Sequence, residues 1–168
     1  MTVSPPLPAA MRDSLRAALP AIVPGFRDPW WIIGSAAMAL SGIAETVPND
    51  VDVLCSERDA QWLKAAWADH ADRAYPPRDD VRFRSCFARF VHLPMPVEVM
   101  GGLQVNAGAG WKTLAIAATE HVPVADFEVP VPALREQMRV LRLFGRDKDL
   151  AKAALISTFL QKESVDAG

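Results

Sequence analysis

The chain has 168 residues, and 51% of them are hydrophobic, so it is long and apolar enough to bury a sizeable core. Its formal net charge is -2, with both signs interspersed, and this gives no general footprint for nucleic acid and no charged tail. The sequence shows no signal peptide and no apolar run long enough to span a bilayer, so we expect a cytoplasmic protein with no membrane partner. In that setting Cys55 and Cys86 are expected to be buried thiols rather than a disulfide.

The N-terminal part of the chain predicts an arm, a helix and a buried strand. Residues 1–9 contain three prolines and are expected to form a loose arm. Apolar residues at helical spacing from Met11 predict a helix that Pro20 either ends or kinks. The continuous apolar run at residues 30–33 then predicts a short strand inside the protein.

The next two segments carry the first candidate site residues. Gly34 directly follows the strand, and Ser35 is a suitable N-cap for a short helix. Polar and apolar residues alternate over residues 50–54, which predicts a strand whose valines face the core. Asp50 and Asp52 are two positions apart on it, so their side chains point to the same face. Such a pair is costly unless a cation lies beside it, and a divalent metal ion is the usual one.

The middle of the chain predicts a turn and two further strands. The turn is predicted at residues 75–80, and residues 81–93 predict one long strand or two bent ones. Residues 97–100 predict a short strand ended by the glycine pair 101–102, with Glu98 on the face opposite its two valines. Three arginines of the longer segment either line a cleft for an acidic substrate or form a solvated strand face: Arg82, Arg84 and Arg89.

The C-terminal part of the chain predicts two helices. They cover residues 132–144 and 147–160, with Asp147 as the N-cap of the second, and the C-terminal helical region extends over residues 132–162. Together the elements predict one α+β domain covering residues 1–168. We expect a small mixed β-sheet flanked by helices, followed by a C-terminal helical pair.

Gly34-Ser35 after a strand, the sequence DVDV from Asp50 on the next strand and Glu98 on a later one form an ordered set. Fourteen residues separate the serine from the first aspartate. This set resembles the nucleotidyltransferase superfamily related to DNA polymerase beta, and it is most similar to the minimal bacterial and the aminoglycoside-type members. Their signature is Gly-Gly or Gly-Ser, a helix and loop, Asp-x-Asp or Asp-x-Glu, and a third carboxylate on a neighbouring strand. The resemblance covers residues 29–100 and extends more weakly to residues 141–156.

The resemblance implies a Mg²⁺-dependent enzyme that transfers NMP from an NTP, with ATP as the expected donor, to a hydroxyl group. Asp50 and Asp52 would hold two Mg²⁺ ions, which such sites keep about 4 Å apart. Glu98 would complete the ion next to the acceptor and help to take the acceptor's proton. The acceptor would be a small molecule, such as an aminoglycoside, or a protein side chain, as in toxin–antitoxin pairs of this superfamily.

The resemblance also implies three nucleotide-binding residues. Gly34 would let the backbone approach the phosphates, and the hydroxyl of Ser35 would donate to a phosphate oxygen. Lys148 is matched to basic residues on the C-terminal helices of relatives that contact the triphosphate. An ordinary surface charge pair is the other interpretation of this lysine.

Two departures from the family pattern leave a second hypothesis open. Glu98 stands where aspartate is commoner, and the loop before Asp50 lacks the Arg or Thr that many relatives carry there. A nucleotidyltransferase fold can also serve as a non-catalytic binding or interaction module, such as a toxin–antitoxin partner, because function depends on the site rather than on the fold. In that case the carboxylates would bind metal weakly or not at all.

Overall fold

The computed structural model describes residues 4–75 and 80–168. Its helices are α1 (Ala9–Gly25), α2 (Gly34–Leu40), α3 (Glu57–Ala66), α4 (Leu134–Phe144) and α5 (Asp147–Asp166). Its strands are β1 (Trp31–Ile33), β2 (Val51–Cys55), β3 (Phe83–Phe90), β4 (Val97–Asn106), β5 (Trp111–Thr113), β6 (Thr119–Val124) and β7 (Phe127–Pro132). A 3-10 turn, Ala68–His70, follows α3. The predicted α+β class with a C-terminal helical pair is confirmed.

Strands β2 and β4 run parallel at the centre of a five-stranded sheet of order β1-β2-β4-β3, in which β5 also pairs with β4. The other pairs of this sheet are antiparallel, so the sheet is mixed, as predicted. Burial alternates along β4, because one face of the strand lies against the core and the other is partly open. Strands β6 and β7 form a separate antiparallel hairpin.

Strand β4 does not end at its glycine pair, so that prediction is wrong. The strand continues to Asn106. A Cβ atom on Gly101 would lie 2.4 Å from the Cβ atom of Ala60, so glycine is what allows α3 to pack this closely on the sheet. Gly102 has a φ of +59°, at the point where the pairing of β3 with β4 shifts register. The two glycines therefore serve a close contact and a bulge inside one strand.

Helix α1 runs through Pro20 and ends at Gly25. The sequence predicted that Pro20 would either end or kink the helix, and the predicted end is wrong. Pro20 lies on the exposed side of the helix. The opposite side forms a buried stripe of Met11, Ser14, Leu15, Ala18, Leu19 and Ile22. A proline inside a helix costs about 3 kcal/mol, whereas each large apolar side chain contributes about 1.5–3 kcal/mol on full burial. Burial of the stripe therefore outweighs the cost of the proline, and the helix continues.

The C-terminal helices start and end differently from the prediction. Residue 132 still belongs to β7, and α5 continues six residues beyond the predicted end at residue 160. Asp147 is the first helical residue of α5, and Arg146 is its N-cap. The reciprocal contact comes from the buried carboxylate of Asp149, which accepts hydrogen bonds from the backbone N–H of Arg146 at 3.3 Å and from its Nε at 2.6 Å. The acidic group that closes the first turn is thus two residues later than predicted.

Some predictions fall partly outside the described residues. Residues 1–3 of the predicted arm and residues 76–79 of the predicted turn are among those that the structure does not describe, and α1 already begins at Ala9. Within residues 4–75 and 80–168, no helix has both the length and the apolar character needed to cross a membrane. Cys55 and Cys86 are both free thiols, as predicted, but only Cys55 is buried and Cys86 is partly exposed.

Candidate functional site

One row of residues crosses the sheet and carries the candidate site. Ile33 is paired with Asp52 across β1 and β2, and Asp52 is paired with Glu98 across β2 and β4. Glu98 is in turn paired with Arg89 across β4 and β3. Paired residues of adjacent strands project to the same face, so the charged side chains of this row become neighbours. Asp50 directly precedes β2 and lies two residues before Asp52, on the same side.

The three carboxylates predicted from the sequence lie together. Asp50, Asp52 and Glu98 each offer an oxygen atom, and these oxygens are all within 4.8 Å of one another. Burial, followed by the negative charges of Asp50 and Glu98, raises the pKa of Asp52 well above its ordinary value. The Oδ1 atom of Asp52 is buried and has no hydrogen-bond partner. A buried carboxylate oxygen without a partner is costly, so the group requires a cation or a proton.

These side chains fit a divalent metal ion. Mg²⁺ and related ions bind carboxylate oxygens, and they bind through one or two protein carboxylates when a phosphate substrate supplies the remaining ligands. The unpartnered Oδ1 atom of Asp52 is available for that role, with Asp50 and Glu98 beside it. The site could therefore hold the metal that its residue types predict.

The turn between β1 and α2 lies against this group. Gly34 has a φ of +69°, and a Cβ atom added there would lie 3.0 Å from Oδ2 of Asp52. Glycine is favoured by both facts, because the left-handed backbone and the close approach each disfavour a side chain. The predicted capping role of Ser35 is wrong. Ile33 is the N-cap of α2, it makes no side-chain capping hydrogen bond, and Ser35 lies inside the first turn.

Two cations lie beside the carboxylates. Arg89 on β3 has its Nη1 atom 2.5 Å from Oε1 of Glu98 and 3.6 Å from Oδ2 of Asp50. Lys152 on α5 is partly buried, and its charge opposes the rise in the pKa of Asp52. Burial lowers the pKa of Lys152 itself, against the attraction of nearby carboxylates. Both cations are therefore part of the electrostatics of the site.

Sequence reasoning named a different lysine on this helix. Lys148, the predicted triphosphate contact, is exposed in the first turn of α5. Lys152 lies four residues later, so both side chains project from the same helix face. The spacing of four residues could have identified Lys152 from the sequence. A lysine one helical turn after Lys148 lies on the same face and can contact the same triphosphate.

The three arginines that were considered together have separate roles. Arg82 donates a hydrogen bond of 2.5 Å to the backbone carbonyl of Phe144, at the end of α4. Arg84 donates to Oε1 of Gln104 at 2.5 Å. Arg89 forms ion pairs with both Glu98 and Asp50. Arg89 therefore faces the acidic group, and Arg82 anchors a helix.

Comparison with known proteins identifies the fold. No family model and no curated protein matches the sequence. The crystal structure of a "putative nucleotidyltransferase" from Thermotoga maritima superimposes with a TM-score of 0.66 at 18% sequence identity, over 88% of this chain and 92% of that one. An antigenic nucleotidyltransferase-like protein from Paracoccidioides brasiliensis matches with a TM-score of 0.45 at 13% identity, over 90% of this chain and 78% of that one. The first match shows that the chain has a nucleotidyltransferase-like fold, as the sequence predicted.

Proposed function

We propose that the chain is a Mg²⁺-dependent nucleotidyltransferase that transfers NMP, with AMP from ATP as the expected case, to a hydroxyl group of a small molecule or protein. One observation carries this proposal. Carboxylate oxygens of Asp50, just before β2, of Asp52 on β2 and of Glu98 on β4 lie within 4.8 Å of one another, and the buried Oδ1 atom of Asp52 has no partner. The nucleotidyltransferase-like fold supports the proposal, although the function itself depends on the residues of the site.

The reaction is attack by an acceptor oxygen on the α-phosphorus of the nucleotide. A bond forms between the acceptor oxygen and phosphorus, the bond from phosphorus to the bridging oxygen of pyrophosphate breaks, and the acceptor's proton passes to a base. Bound Mg²⁺ would supply positive charge for the reacting phosphate and the leaving group. The protein's contribution is to position the reactants and to provide fixed charges.

The residues of the site divide this work between them. Asp50 and Asp52 would hold Mg²⁺, and Glu98 would serve either as a further ligand or as the group that receives the proton. The turn at Gly34 would let the phosphates approach the backbone, and the Ser35 hydroxyl would donate to a phosphate oxygen. These assignments rest on the contacts of the described side chains together with the sequence motif.

Two lysines of α5 would contribute positive charge toward the triphosphate. Lys152 already acts on the charge of Asp52, and Lys148 lies one turn away on the same helix face. Because an ammonium group acts on phosphates as a point charge, the two could share the β- and γ-phosphates. We expect Lys152→Met to weaken ATP binding more than Lys148→Met, since Lys148 is exposed to solvent.

Calorimetry with ATP, in the presence and absence of Mg²⁺, tests the proposal. The wild type should bind ATP in a Mg²⁺-dependent manner, and Asp50→Asn/Asp52→Asn should lose that dependence. Asp69→Asn/Asp126→Asn is the matched control, because it removes the same formal charge at two exposed positions. Transfer of label from α-³²P-ATP to acceptors then measures the reaction itself. Absence of ATP binding by the wild type under both conditions contradicts the enzymatic proposal.

The alternative function is a non-catalytic interaction module, such as a toxin–antitoxin partner. It would gain support from a continuous apolar patch on the C-terminal helices. On α5 the large apolar side chains classed as exposed are Leu150, at 46%, and Val165, at 77%. They are 15 residues apart in the helix, and single exposed apolar residues are common on protein surfaces. The cations beside the carboxylates favour a phosphate ligand instead.

A further inference from the structure

Arg89 lies between two of the three carboxylates, Glu98 and Asp50. Its guanidinium contacts Glu98 at 2.5 Å and approaches Asp50 to 3.6 Å. The side chains of Arg89 and Glu98 are only 19% and 13% exposed. A charge-assisted contact at this distance and burial is much stronger than an ion pair in open solvent.

Two further features fix Arg89 in this place. The antiparallel pairing of β3 with β4 sets Arg89 directly opposite Glu98, so the contact follows from strand register. On its other side the guanidinium lies over the ring of Tyr75, at 4.5 Å from the ring centroid. A cation at this distance is attracted by the ring face. The arginine is therefore held from two sides.

The charge of the site determines how many cations it accepts. Asp50, Asp52 and Glu98 carry three negative charges when all are ionised, and a guanidinium remains protonated at any physiological pH. One divalent ion and Arg89 together balance these three charges. In the absence of nucleotide, whose phosphates carry negative charge of their own, a second divalent ion would leave the site with excess positive charge, to which Lys152 would add.

We propose that Arg89 takes the place of one of the two metal ions expected at this site. The protein then binds one divalent ion through Asp50 and Asp52, and Glu98 pairs with the guanidinium instead of completing a second ion. The inference rests on the proposed function, because that ion is the one the nucleotide would use. The positive charge next to the acceptor is then a fixed side chain rather than an exchangeable ion.

The test is the number of Mn²⁺ ions bound per chain without nucleotide, from equilibrium dialysis with free Mn²⁺ measured by electron paramagnetic resonance. We expect one ion for the wild type and two for Arg89→Met, because the substitution frees Glu98. Arg89→Lys keeps the charge and should still bind one ion. Arg89→Met/Glu98→Gln should return to one, because it removes the ligand that the first substitution freed.

The outcomes separate this inference from the proposed function. Two ions in the wild type, or one ion in a folded Arg89→Met variant, overturn the inference and leave the proposed function intact. No bound Mn²⁺ in the wild type overturns both. If Arg89→Met does not fold, as judged by circular dichroism, the count for the wild type and for Arg89→Lys decides the matter. One ion in each supports the inference, and two ions in either overturns it.

Discussion

Asp52→Asn should stabilise the protein when divalent ions are absent. The wild-type side chain brings a negative charge into a partly buried position beside two other carboxylates, and its buried Oδ1 atom has no partner. Asparagine has the same shape and carries no charge. It can also donate a hydrogen bond toward its acidic neighbours. A residue proposed to be essential for function therefore reduces the stability of the metal-free protein, a trade-off common at active sites.

The size of the effect follows from the separation of the charges. Two carboxylate oxygens 4.8 Å apart repel each other by about 3.5 kcal/mol at an effective dielectric constant of 20. Asp52 faces two such neighbours, but Lys152 opposes part of the repulsion and a bound proton can relieve more of it. We therefore expect a net gain of about 1–3 kcal/mol near neutral pH. For a chain of this length that corresponds to about 3–8 °C in melting temperature.

The pH dependence of the free energy of unfolding independently gives the direction of the effect of Asp52→Asn. The pKa of folded Asp52 lies well above its ordinary value of 3.8, so the folded chain binds this proton more tightly than the unfolded chain does. The stabilising contribution is complete below the unfolded pKa and is lost as the pH rises through the folded pKa. Asparagine does not titrate, so the advantage of Asp52→Asn should grow over the same interval.

Thermal denaturation in EDTA measures this difference, with the exposed Asp69→Asn as the control for loss of one charge. Adding Mg²⁺ at about 100 times its dissociation constant should stabilise the wild type by about 2.7 kcal/mol and the Asp52→Asn variant by much less. A metal-free Asp52→Asn variant that melts at or below the wild-type temperature, with an unchanged control, would show that this carboxylate is already well compensated. The argument from its burial would then be refuted.

Three further predictions concern other positions. Gly34→Ala should weaken ATP binding by about tenfold or more, because alanine is strained at a φ of +69° and its Cβ atom would crowd the carboxylate of Asp52. An unchanged affinity for ATP in calorimetry would contradict this prediction. Glu136→Gln should cost about 1 kcal/mol at pH 7, because the hydrogen bond from Arg139 holds the pKa of this nearly buried carboxyl below its ordinary value of 4.5. The stabilising contribution of Glu136 is present above the unfolded pKa and is lost as the pH falls through the folded pKa. Urea denaturation should therefore show a smaller difference in unfolding free energy between the wild type and Glu136→Gln at pH 3.5 than at pH 7. Burial raises the pKa of Cys55 to about 12, so iodoacetamide at pH 8 should modify the partly exposed Cys86 first. Equal rates of modification of the two cysteines, measured by peptide mass spectrometry, would contradict this prediction.

The sequence was sufficient for the parts of the site that depend on local pattern. Alternation along a strand places Asp52 and Glu98 on the face opposite their neighbouring valines. Burial alternates along the whole of β4 and over residues 51–53 of β2. The glycine turn after an apolar strand is likewise a local signal, and Gly34 has the positive φ that a turn requires. Two strands and one turn therefore suffice to predict which side chains share a face.

Features that depend on pairing between distant segments could not be read in this way. Arg89 reaches Glu98 only because β3 lies beside β4 in one particular antiparallel register. Lys152 reaches the field of Asp52 only because α5 packs against α2 and α4. Gly101 signals a chain break by composition, yet the close approach of α3 keeps it inside β4. In each case a tertiary contact outweighs the local preference.

The row of Asp52, Glu98 and Arg89 forms only when three strands have paired in the native register. The three residues come from three strands, and β2 and β4 can pair in parallel only after the chain between them has crossed over. A slip of one residue in either pairing turns a charged side chain of the row to the other face of the sheet. Divalent ions present during refolding should therefore select chains that have reached the native register.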